Sequence, residues 1–281
     1  MRRTQIPMNK GKIVKTISNQ YFVLSDNKIY ECKARGKFKY ENISPLVGDY
    51  CLFDKEKLYI MELLPRKNSL KRPLISNVDI ALILTSVKTP NFSSLLLDKQ
   101  LATVLSENIK PIIIISKMDL LNSNEKKEIN RIIKMYKNLG FTVYKNTNLF
   151  RIKRAINGKT VVLTGQTGAG KSTLLNKLGN FDIETKEVSK ALGRGVHTTR
   201  HTESYKVGKS LISDTPGFSS LDLNVKKDDL KNLYPEFKNK ECFYKGCNHI
   251  KEDRCGVRKA LNENKIYKSR YDNYVKLWKE L

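Results

Sequence analysis

A short glycine-rich segment in the middle of the chain constrains the fold more than any other feature. It reads Gly165-Gln166-Thr167-Gly168-Ala169-Gly170-Lys171-Ser172, followed by Thr173, and fits the pattern G-x-x-x-x-G-K-S. An apolar strand is predicted before it and a helix after it, over 160–164 and 171–178. In such a loop the backbone N–H groups wrap nucleotide phosphates, the lysine reaches the β- and γ-phosphates, and the serine hydroxyl binds Mg²⁺. The sequence therefore predicts an α/β nucleotide-binding domain that uses Lys171 and Ser172.

Strands and helices alternate on both sides of this loop. Apolar runs predict further strands over 80–86, 111–115 and 209–213, and helical periodicity predicts helices over 95–107 and 125–139. Continuous apolar strands that alternate with helices are typical of a parallel sheet covered on both faces.

Two further motifs indicate which nucleotide is bound. Ser116-Lys117-Met118-Asp119 follows a predicted strand and resembles the N-K-x-D motif, in which the aspartate pairs with guanine and the lysine stem lies along the base. Serine at the first position is shorter than the usual asparagine or threonine, which predicts a weaker brace for the loop. Asp214-Thr215-Pro216-Gly217 fits D-x-x-G, so Asp214 is a predicted Mg²⁺ partner and the Gly217 N–H a predicted γ-phosphate donor.

The order of these motifs is unusual. The guanine motif at 116 precedes the phosphate loop at 165, whereas ordinary GTPases have the reverse order. A sheet requires adjacency in space and no particular chain order, so joining the old termini and cutting elsewhere leaves the site intact. The sequence therefore predicts a circularly permuted GTPase domain.

The segment between the phosphate loop and the D-x-x-G motif is a predicted γ-phosphate sensor. It reads Gly193-Arg194-Gly195-Val196-His197-Thr198-Thr199-Arg200. Thr199, with Thr198 as second choice, is expected to close on Mg²⁺ and the γ-phosphate. Phe218 stands where many GTPases carry a water-positioning glutamine, so slow intrinsic hydrolysis is expected. His197 either orients the attacking water or is a loop histidine without a chemical role.

The C-terminal region carries a set of metal-ligand residues. The spacing is Cys242-x4-Cys247-x-His249-x5-Cys255, which supplies three thiolates and one imidazole. That is a complete tetrahedral set for a structural Zn²⁺. The remaining cysteines, Cys32 and Cys51, are predicted to be small core residues. A terminal helix follows, whose aromatic residues are expected to pack inwards while Lys268, Arg270, Lys276 and Lys279 are candidates for contact with RNA.

The first 70 residues predict a small closed β-barrel of the OB-fold type. Five β-rich runs, at 13–17, 21–24, 28–34, 49–53 and 58–63, are separated by turn residues. OB-folds commonly bind single strands through basic grooves and aromatic side chains. A basic segment around Gly36 suits that role, and its candidate RNA-binding residues are Lys33, Arg35, Lys37 and Phe38. The alternative is a solvated hairpin.

The net charge points to a polyanionic partner. The chain has 53 Lys+Arg and 28 Asp+Glu in 281 residues, a formal charge of +25. Residues 1–72 contribute +9, 73–230 +10 and 231–281 +6, so the flanks are about twice as charge-dense as the middle. Such an excess favours nucleic acid or an anionic membrane surface. Apolar runs are too short for a bilayer and the N-terminus does not read as a signal peptide, so we expect a cytoplasmic protein.

Together the motifs resemble the RsgA family of small-ribosomal-subunit-dependent GTPases. The matching stretches also include Pro45-Leu46-Val47-Gly48-Asp49, Pro65-Arg66-Lys67-Asn68, Asn77-Val78-Asp79 and the run DTPGFSSLDL. The chain departs from the family near Tyr144-Lys145-Asn146-Thr147, where S-A-K usually lies against the guanine.

The resemblance implies three domains: an OB-fold at 1–70, a circularly permuted GTPase domain at 71–228 and a zinc-binding α domain at 229–281. It also implies a monomer that binds the small ribosomal subunit and 16S rRNA, acts late in maturation, and hydrolyses Mg²⁺-bound GTP when the subunit stimulates it.

Two other classes of function remain open on the sequence. One is an RNA-binding module with a degenerate nucleotide site, which intact Lys171, Ser172, Asp214 and Asp119 argue against. The other is a membrane-surface GTPase, for which the chain lacks a lipidation motif or a basic amphipathic anchor.

Overall fold

A computed structural model gives the fold, and it describes residues 8–41, 43–71, 74–180, 203–214, 223 and 225–281. The chain divides into two compact units. The first comprises Met1–Ile80, Ile152–Thr164 and Lys171–Phe218, and the second comprises Ala81–Arg151, Gly165–Gly170 and Ser219–Leu281. The domain boundaries predicted at 70/71 and 228/229 stay predictions. Among the described residues, no helix combines the length and the apolar character needed to cross a membrane.

The N-terminal region is a closed five-stranded barrel, as predicted. Its strands are β1 (Asn9–Ile17), β2 (Gln20–Ser25), β3 (Lys28–Ala34), β4 (Tyr50–Asp54) and β5 (Tyr59–Leu63). They pair in the order β1-β2-β3-β5-β4, and β4 pairs again with β1, which closes the barrel. Alternate residues point inwards and build its core. That core contains Ile13, Val23, Cys32, Phe38, Cys51, Phe53 and Ile60.

The barrel corrects one predicted RNA contact. The basic segment is a single helical turn, α1 (Gly36–Tyr40), and neither an open loop nor a hairpin. That turn directs Phe38 into the barrel core, where it is 6% exposed, whereas Tyr40 is 92% exposed. Phe38 therefore cannot stack on RNA. The interior positions of Cys32 and Cys51 confirm the expectation that they are core residues.

The sequence runs 45–49 and 65–68 meet at one buried carboxylate. Asp49, fully buried, accepts hydrogen bonds from Arg66 Nε and Nη2, both at 2.7 Å, and from Ser76 Oγ at 2.6 Å. A bidentate arginine of this kind satisfies both carboxylate oxygens, which a buried charge requires. This ion pair gives a structural role to Asp49 in the run 45–49 and to Arg66 in the run 65–68.

The first unit contains further strands beyond the barrel. They are β6 (Ser69–Lys71), β7 (Leu74–Ser76), β11 (Thr160–Gly165), β12 (Glu203–Val207) and β13 (Ser210–Asp214). Strand β11 runs parallel to β13, and β13 is antiparallel to β12, which pairs with β1 of the barrel. Helix α5 (Lys171–Gly179) follows the phosphate loop in the chain.

The second unit contains three neighbouring strands, in the order β10-β9-β8, and its own helices. The strands are β8 (Ile80–Ser86), β9 (Lys110–Ser116) and β10 (Thr142–Lys145), and β9 and β10 are parallel. The helices are α2 (Ser94–Ser106), α3 (Ser123–Asn138) and α4 (Leu149–Ile156), the last of which continues into the first unit. Helix α3 begins with a reciprocal capping box between Asn122 and Glu125. Gly140, with φ of 87°, ends it, as expected of a residue just past a helix.

The C-terminal region belongs to the second unit and contains short helical elements. It has two 3₁₀ turns (Lys227–Leu233 and Pro235–Phe237) and helices α6 (Gly256–Asn262) and α7 (Lys268–Glu280). Its core joins Tyr234, Phe237 and Tyr274 to Ala102 of α2. The aromatic residues of α7 therefore pack largely inwards, as predicted.

A buried ion-pair network joins α7 to α2 and corrects the prediction that Arg270 reaches RNA. The side chain of Arg270 is 2% exposed, donates to Asp98 through Nη1, and donates to Glu236 Oε1 through Nε at 2.7 Å. Asp98 also accepts from Tyr136 Oη and Asn273 Nδ2, each at 2.7 Å. The guanidinium of Arg270 is therefore paired inside the protein and is not available to RNA.

Candidate functional site

The phosphate loop connects β11 to α5 along the chain. Gly165 has φ of 142°, and a Cβ atom at this position would lie 2.0 Å from the backbone oxygen of Leu84. Only glycine fits such a close approach of two backbones. Gly170, with φ of 93°, brings the chain to Lys171, where α5 begins. The sequence thus supplies glycine where the backbone geometry of a phosphate loop requires it.

The guanine-type motif contacts the phosphate loop directly. Ser116, 2% exposed at the end of β9, donates through Oγ to the backbone oxygen of Ala169 at 2.8 Å. Its hydroxyl also lies 3.4 Å from the Thr85 oxygen. The contact joins residues 53 positions apart in the chain, in reverse of the usual motif order. The hydroxyl reaches the loop carbonyl, so Ser116 does brace the loop; that this brace is weaker than one from asparagine or threonine stays a prediction.

The next residues of the motif are held in a tight turn. Lys117 adopts a left-handed conformation, with φ of 60°, and Asp119 lies in the 3₁₀ turn Met118–Leu120 that follows. The Lys117 ammonium donates to the backbone oxygen of Thr89, in the turn between β8 and α2. Lys117 is therefore positioned by a segment that motif spacing did not single out.

The segment in which S-A-K was not found forms a second tight turn beside β9. The Asn146 N–H donates to the Ile115 oxygen at 2.8 Å, which continues the β9–β10 pairing past Lys145. The Asn148 side chain then accepts from the Lys145 N–H at 3.2 Å and closes the turn. Residues 144–147 thus follow the strand next to the one that carries Ser116, although their sequence gives no motif.

The remaining predicted nucleotide residues are only partly described. Asp214 is the last residue of β13, where its backbone pairs with Leu163 of β11. Its side chain lies outside the described part of the structure, as do residues Gly217, Phe218, His197, Thr198 and Thr199. Their predicted roles in binding Mg²⁺, the γ-phosphate and water stay predictions.

The four predicted zinc ligands converge on one point. The Nδ1 atom of His249 lies 3.5 Å from Sγ of Cys242, 3.4 Å from Sγ of Cys247 and 3.3 Å from Sγ of Cys255. The sulfurs of Cys242 and Cys255 are 3.9 Å apart, and all four ligand atoms lie within 4.8 Å of one another. With Zn–S bonds of about 2.3 Å, two sulfurs of a tetrahedral site are about 3.8 Å apart.

This donor set fits zinc chemically as well as geometrically. Three thiolates and one imidazole fill a tetrahedron, so a zinc ion held by these residues would be structural. The Gly256 N–H donates to the Cys242 sulfur at 3.3 Å, and the Arg258 N–H donates to the Cys255 sulfur at 3.5 Å. Burial raises the pKa of the Cys247 thiol to about 12, so metal binding must displace protons. The site lies outside the nucleotide motifs.

Neighbouring side chains hold the ligand loop in shape. Tyr271 donates to the His249 oxygen at 2.7 Å, and Lys231 donates to the Cys247 oxygen at 3.0 Å. The Glu252 carboxylate accepts from the N–H groups of Asn248, Ile250 and Lys251 at 2.7, 2.8 and 3.0 Å. Burial opposes ionisation of Glu252, but these donors outweigh it and lower its pKa to about 2.

Three of the four candidate RNA-binding residues of the barrel lie on its surface. Lys33 at the end of β3, Arg35 before α1 and Lys37 within α1 are exposed, and Lys37 lies 3.3 Å from Glu41. These positions are compatible with a polyanion.

Two family models match this chain. The family model described as RsgA GTPase matches residues 63–224, and the one described as RsgA N-terminal domain matches residues 10–58. The chain is 42% identical over 284 residues to "Small ribosomal subunit biogenesis GTPase RsgA 1" of Listeria monocytogenes, covering 98% of each. It is 41% identical over 286 residues to "Small ribosomal subunit biogenesis GTPase RsgA" of Halalkalibacterium halodurans, covering 98% of this chain and 97% of the relative.

Two solved structures have the same fold. The crystal structure of YloQ, described as a circularly permuted GTPase, matches with a TM-score of 0.83 and 35% identity, covering 100% of this chain and 97% of that one. The crystal structure of YjeQ from Thermotoga maritima matches with a TM-score of 0.84 and 30% identity, covering 98% and 99%. These similarities confirm the predicted fold class, a permuted GTPase domain with an N-terminal barrel.

Proposed function

The chain belongs to the RsgA GTPase family, and from that premise we propose that it hydrolyses GTP to GDP and phosphate during biogenesis of the small ribosomal subunit. The observation that carries the proposal is the hydrogen bond from Ser116 Oγ to the Ala169 oxygen at 2.8 Å. It joins the motif that is predicted to read the base to the loop that is predicted to bind the phosphates, as one guanine-nucleotide site requires.

We assign the nucleotide contacts as follows. The backbone of the phosphate loop wraps the phosphates, Lys171 neutralises the β- and γ-phosphates, and Ser172 binds Mg²⁺. Asp119 reads the guanine, while Lys117, fixed by the Thr89 oxygen, lies along the base. The further contacts are assigned to Gln166, Thr167, Thr173, Met118, Asp214 and Gly217, with Thr199 as the switch threonine and His197 as the candidate that orients water.

The partner is the small ribosomal subunit, engaged through its 16S rRNA by a single copy of this chain. The positive charge supports an RNA partner, because +9 and +6 of the total +25 lie in the two flanks, outside the nucleotide motifs. In this scheme the GTP-bound chain docks, the subunit stimulates hydrolysis, and the GDP-bound chain leaves.

The test is a GTPase assay with and without purified small subunits. Slow turnover alone and faster turnover with subunits are expected, while large subunits serve as the control. An unchanged rate would exclude coupling to the subunit. Failure to bind GTP at all would favour an RNA-binding module without catalysis.

Asp119→Asn tests the assignment of the base. Asparagine replaces a carboxylate that accepts two hydrogen bonds with a group that complements xanthine, so preference is expected to move from GTP towards xanthosine triphosphate. Competition binding measures this change. Lys171→Ala is the matched variant, expected to abolish hydrolysis while leaving base preference unchanged.

A further inference from the structure

Two large side chains lie exposed on the loop that carries the zinc ligands. Phe243 is 64% exposed and Tyr244 is 50% exposed. Both lie between the candidate ligands Cys242 and Cys247, so the loop that presents them is the loop that a bound zinc ion would hold. The core of this region, built around Tyr234, Phe237 and Tyr274, does not include them.

Two contacts join Phe243 to the cationic residue Arg254. Its backbone N–H donates to the Arg254 oxygen at 3.2 Å, and the Arg254 guanidinium carbon lies over the Phe243 ring, 4.5 Å from its centroid. Arg254 is itself exposed and has a left-handed backbone, with φ of 52°. Tyr244 meets the Phe243 ring edge-on, with centroids 5.1 Å apart and planes at 88°. The three planar groups therefore form one ordered patch.

The metal site explains why an exposed patch keeps this geometry. Phe243 follows the candidate ligand Cys242, and Arg254 precedes the candidate ligand Cys255, so a zinc ion bound there would hold both residues through adjacent backbone positions. Without such a constraint, two exposed aromatic rings would have no fixed orientation. A rigid platform loses less conformational entropy on binding than flexible side chains do.

The charge around the patch is positive. Residues 238–259 contain seven Lys+Arg and three Asp+Glu, a net charge of +4. Exposed Lys238, Lys245 and Lys251 belong to this stretch. Of the acidic residues, Glu252 is engaged by backbone N–H groups. An exposed aromatic ring among cations suits an anionic partner that also has flat apolar faces.

We propose that Phe243, Tyr244 and Arg254 form a stacking platform for an unpaired RNA base, a role that rests on the proposed function and extends it to the zinc-binding region. Unpaired bases stack on aromatic rings and on arginine planes, and their phosphates meet the neighbouring lysines. A protein partner would favour a broader apolar area, and a duplex would offer phosphates without open base faces. The occupant is therefore single-stranded or looped RNA of the subunit.

The first experiment uses the zinc-loaded full chain and measures the subunit concentration that half-maximally stimulates GTP hydrolysis, at several salt concentrations. Phe243→Ala is expected to raise this concentration about 5- to 100-fold without changing its salt dependence, because stacking releases no counterions. Phe243→Trp is expected to keep the affinity. Lys245→Ala is expected to reduce the slope against log salt by about 1.

The matched control is Phe150→Ala, since Phe150 is 78% exposed on α4 and lies outside the platform. The subunit concentration for half-maximal stimulation is expected to stay that of wild type. Zinc content of each variant shows whether the loop is intact. Arg254→Lys keeps the charge and loses the planar guanidinium, so it is expected to weaken binding. Equal affinities of wild type, Phe243→Ala and Arg254→Lys would overturn the proposal.

A second measurement separates the platform from the proposed function. Tryptophan fluorescence of Phe243→Trp is recorded with a short single-stranded RNA and with a duplex of equal length, after subtraction of the wild-type signal from Trp278. Quenching by the single strand alone supports the platform, and equal or absent quenching contradicts it. If subunits stimulate wild-type hydrolysis but the platform variants behave as wild type, only the platform fails. If subunits do not stimulate wild type, the proposed function fails and the quenching experiment still decides the platform.

Discussion

At the scale of single residues, Ser116 shows how a short side chain replaces a longer one. Its buried hydroxyl reaches the Ala169 oxygen at 2.8 Å, so the guanine-type motif and the phosphate loop hold each other in place. Ser116→Ala removes the donor and leaves a buried carbonyl without it. GTP affinity is expected to fall about 5- to 10-fold, from a loss of about 1 kcal/mol. Titration with a fluorescent GTP analogue measures this, and Ser116→Thr, which keeps the hydroxyl, is the control. Equal affinity in the alanine variant would remove Ser116 from the site.

Lys12 is a buried cation whose ionisation costs stability. It is 9% exposed, donates to Thr160 Oγ1, and its ammonium lies 4.8 Å from the centre of the Tyr50 ring. Burial lowers the pKa of Lys12 from its ordinary 10.5 to about 8, although the nearby Asp79 carboxylate opposes the shift. Between pH 8 and 10.5 the unfolded chain holds a proton that the folded chain has released. The contribution of Lys12 to stability therefore rises with pH across this window.

Lys12→Met isolates that contribution. Burial raises the pKa of the Cys32 thiol to about 11 and that of the Cys51 thiol to about 12. These shifts make the stability of wild type fall at alkaline pH, which masks the rise that Lys12 causes. Because both proteins contain these thiols, their effect on stability cancels when the methionine variant is compared with wild type. The stability of the variant relative to wild type is expected to decline by about 1–3 kcal/mol between pH 8 and 10. Urea unfolding at several pH values measures it, and parallel stability curves would contradict the burial of a charged Lys12.

At the scale of elements, α2 and α7 are joined by two ion pairs of opposite character. The first, between Arg270 and Asp98, is buried, and Arg270 pairs there also with Glu236 of the 3₁₀ turn Pro235–Phe237. The second, between Lys99 and Glu280 at 2.9 Å, lies on the surface. Arg270→Met leaves two buried carboxylates unpaired and is expected to cost about 3–5 kcal/mol of unfolding free energy. Lys99→Met, which breaks the exposed pair between the same helices, is expected to cost less than about 1 kcal/mol. Urea unfolding followed by Trp278 fluorescence, which reports on α7, compares them. Equal losses would show that the buried network does not hold α7.

The elements also show where sequence reasoning succeeded. Runs of apolar or alternating residues predicted the barrel strands and β8, β9 and β11 to within a few residues, because burial of one or both faces leaves a periodic pattern. Strands β10 and β12 and helices α4 and α6 were missed, since each is short and its pattern is weak. The zinc ligands were found because metal geometry requires fixed residue types at short spacing.

Single side chains proved harder to place than elements. Phe38 and Arg270 were both read as surface residues, one from a basic neighbourhood and the other from a helical face. In each case the decisive partner is distant in sequence: the barrel core for Phe38, and Asp98, 172 positions away, for Arg270. Local composition carries no information about such partners. The Lys117–Thr89 contact was missed for the same reason, because no motif marks a backbone oxygen.

At the scale of the whole molecule, motif order and charge have separate consequences. Permutation places the predicted switch segment, 193–200, and the D-x-x-G motif ahead of the C-terminal module in the chain. The zinc-binding region therefore comes after the segments that are predicted to respond to the nucleotide, and no further GTPase motif lies between them. The charge, in contrast, is densest at the two ends of the chain, where RNA contacts are proposed.

That distribution predicts how binding responds to salt. Each phosphate neutralised by a lysine or arginine releases counterions, so affinity falls as a power of salt concentration. With +25 on the chain, the subunit concentration for half-maximal stimulation is expected to rise by about 10-fold or more between 50 and 200 mM KCl. The rate at saturating subunits and the basal rate without them are expected to change little, because the roles proposed for Lys171, Ser172 and the loop glycines involve the nucleotide and not the RNA. A basal rate that falls in parallel with the stimulated rate would place the salt effect on GTP binding, and a flat affinity would mean that the charged flanks do not contact RNA.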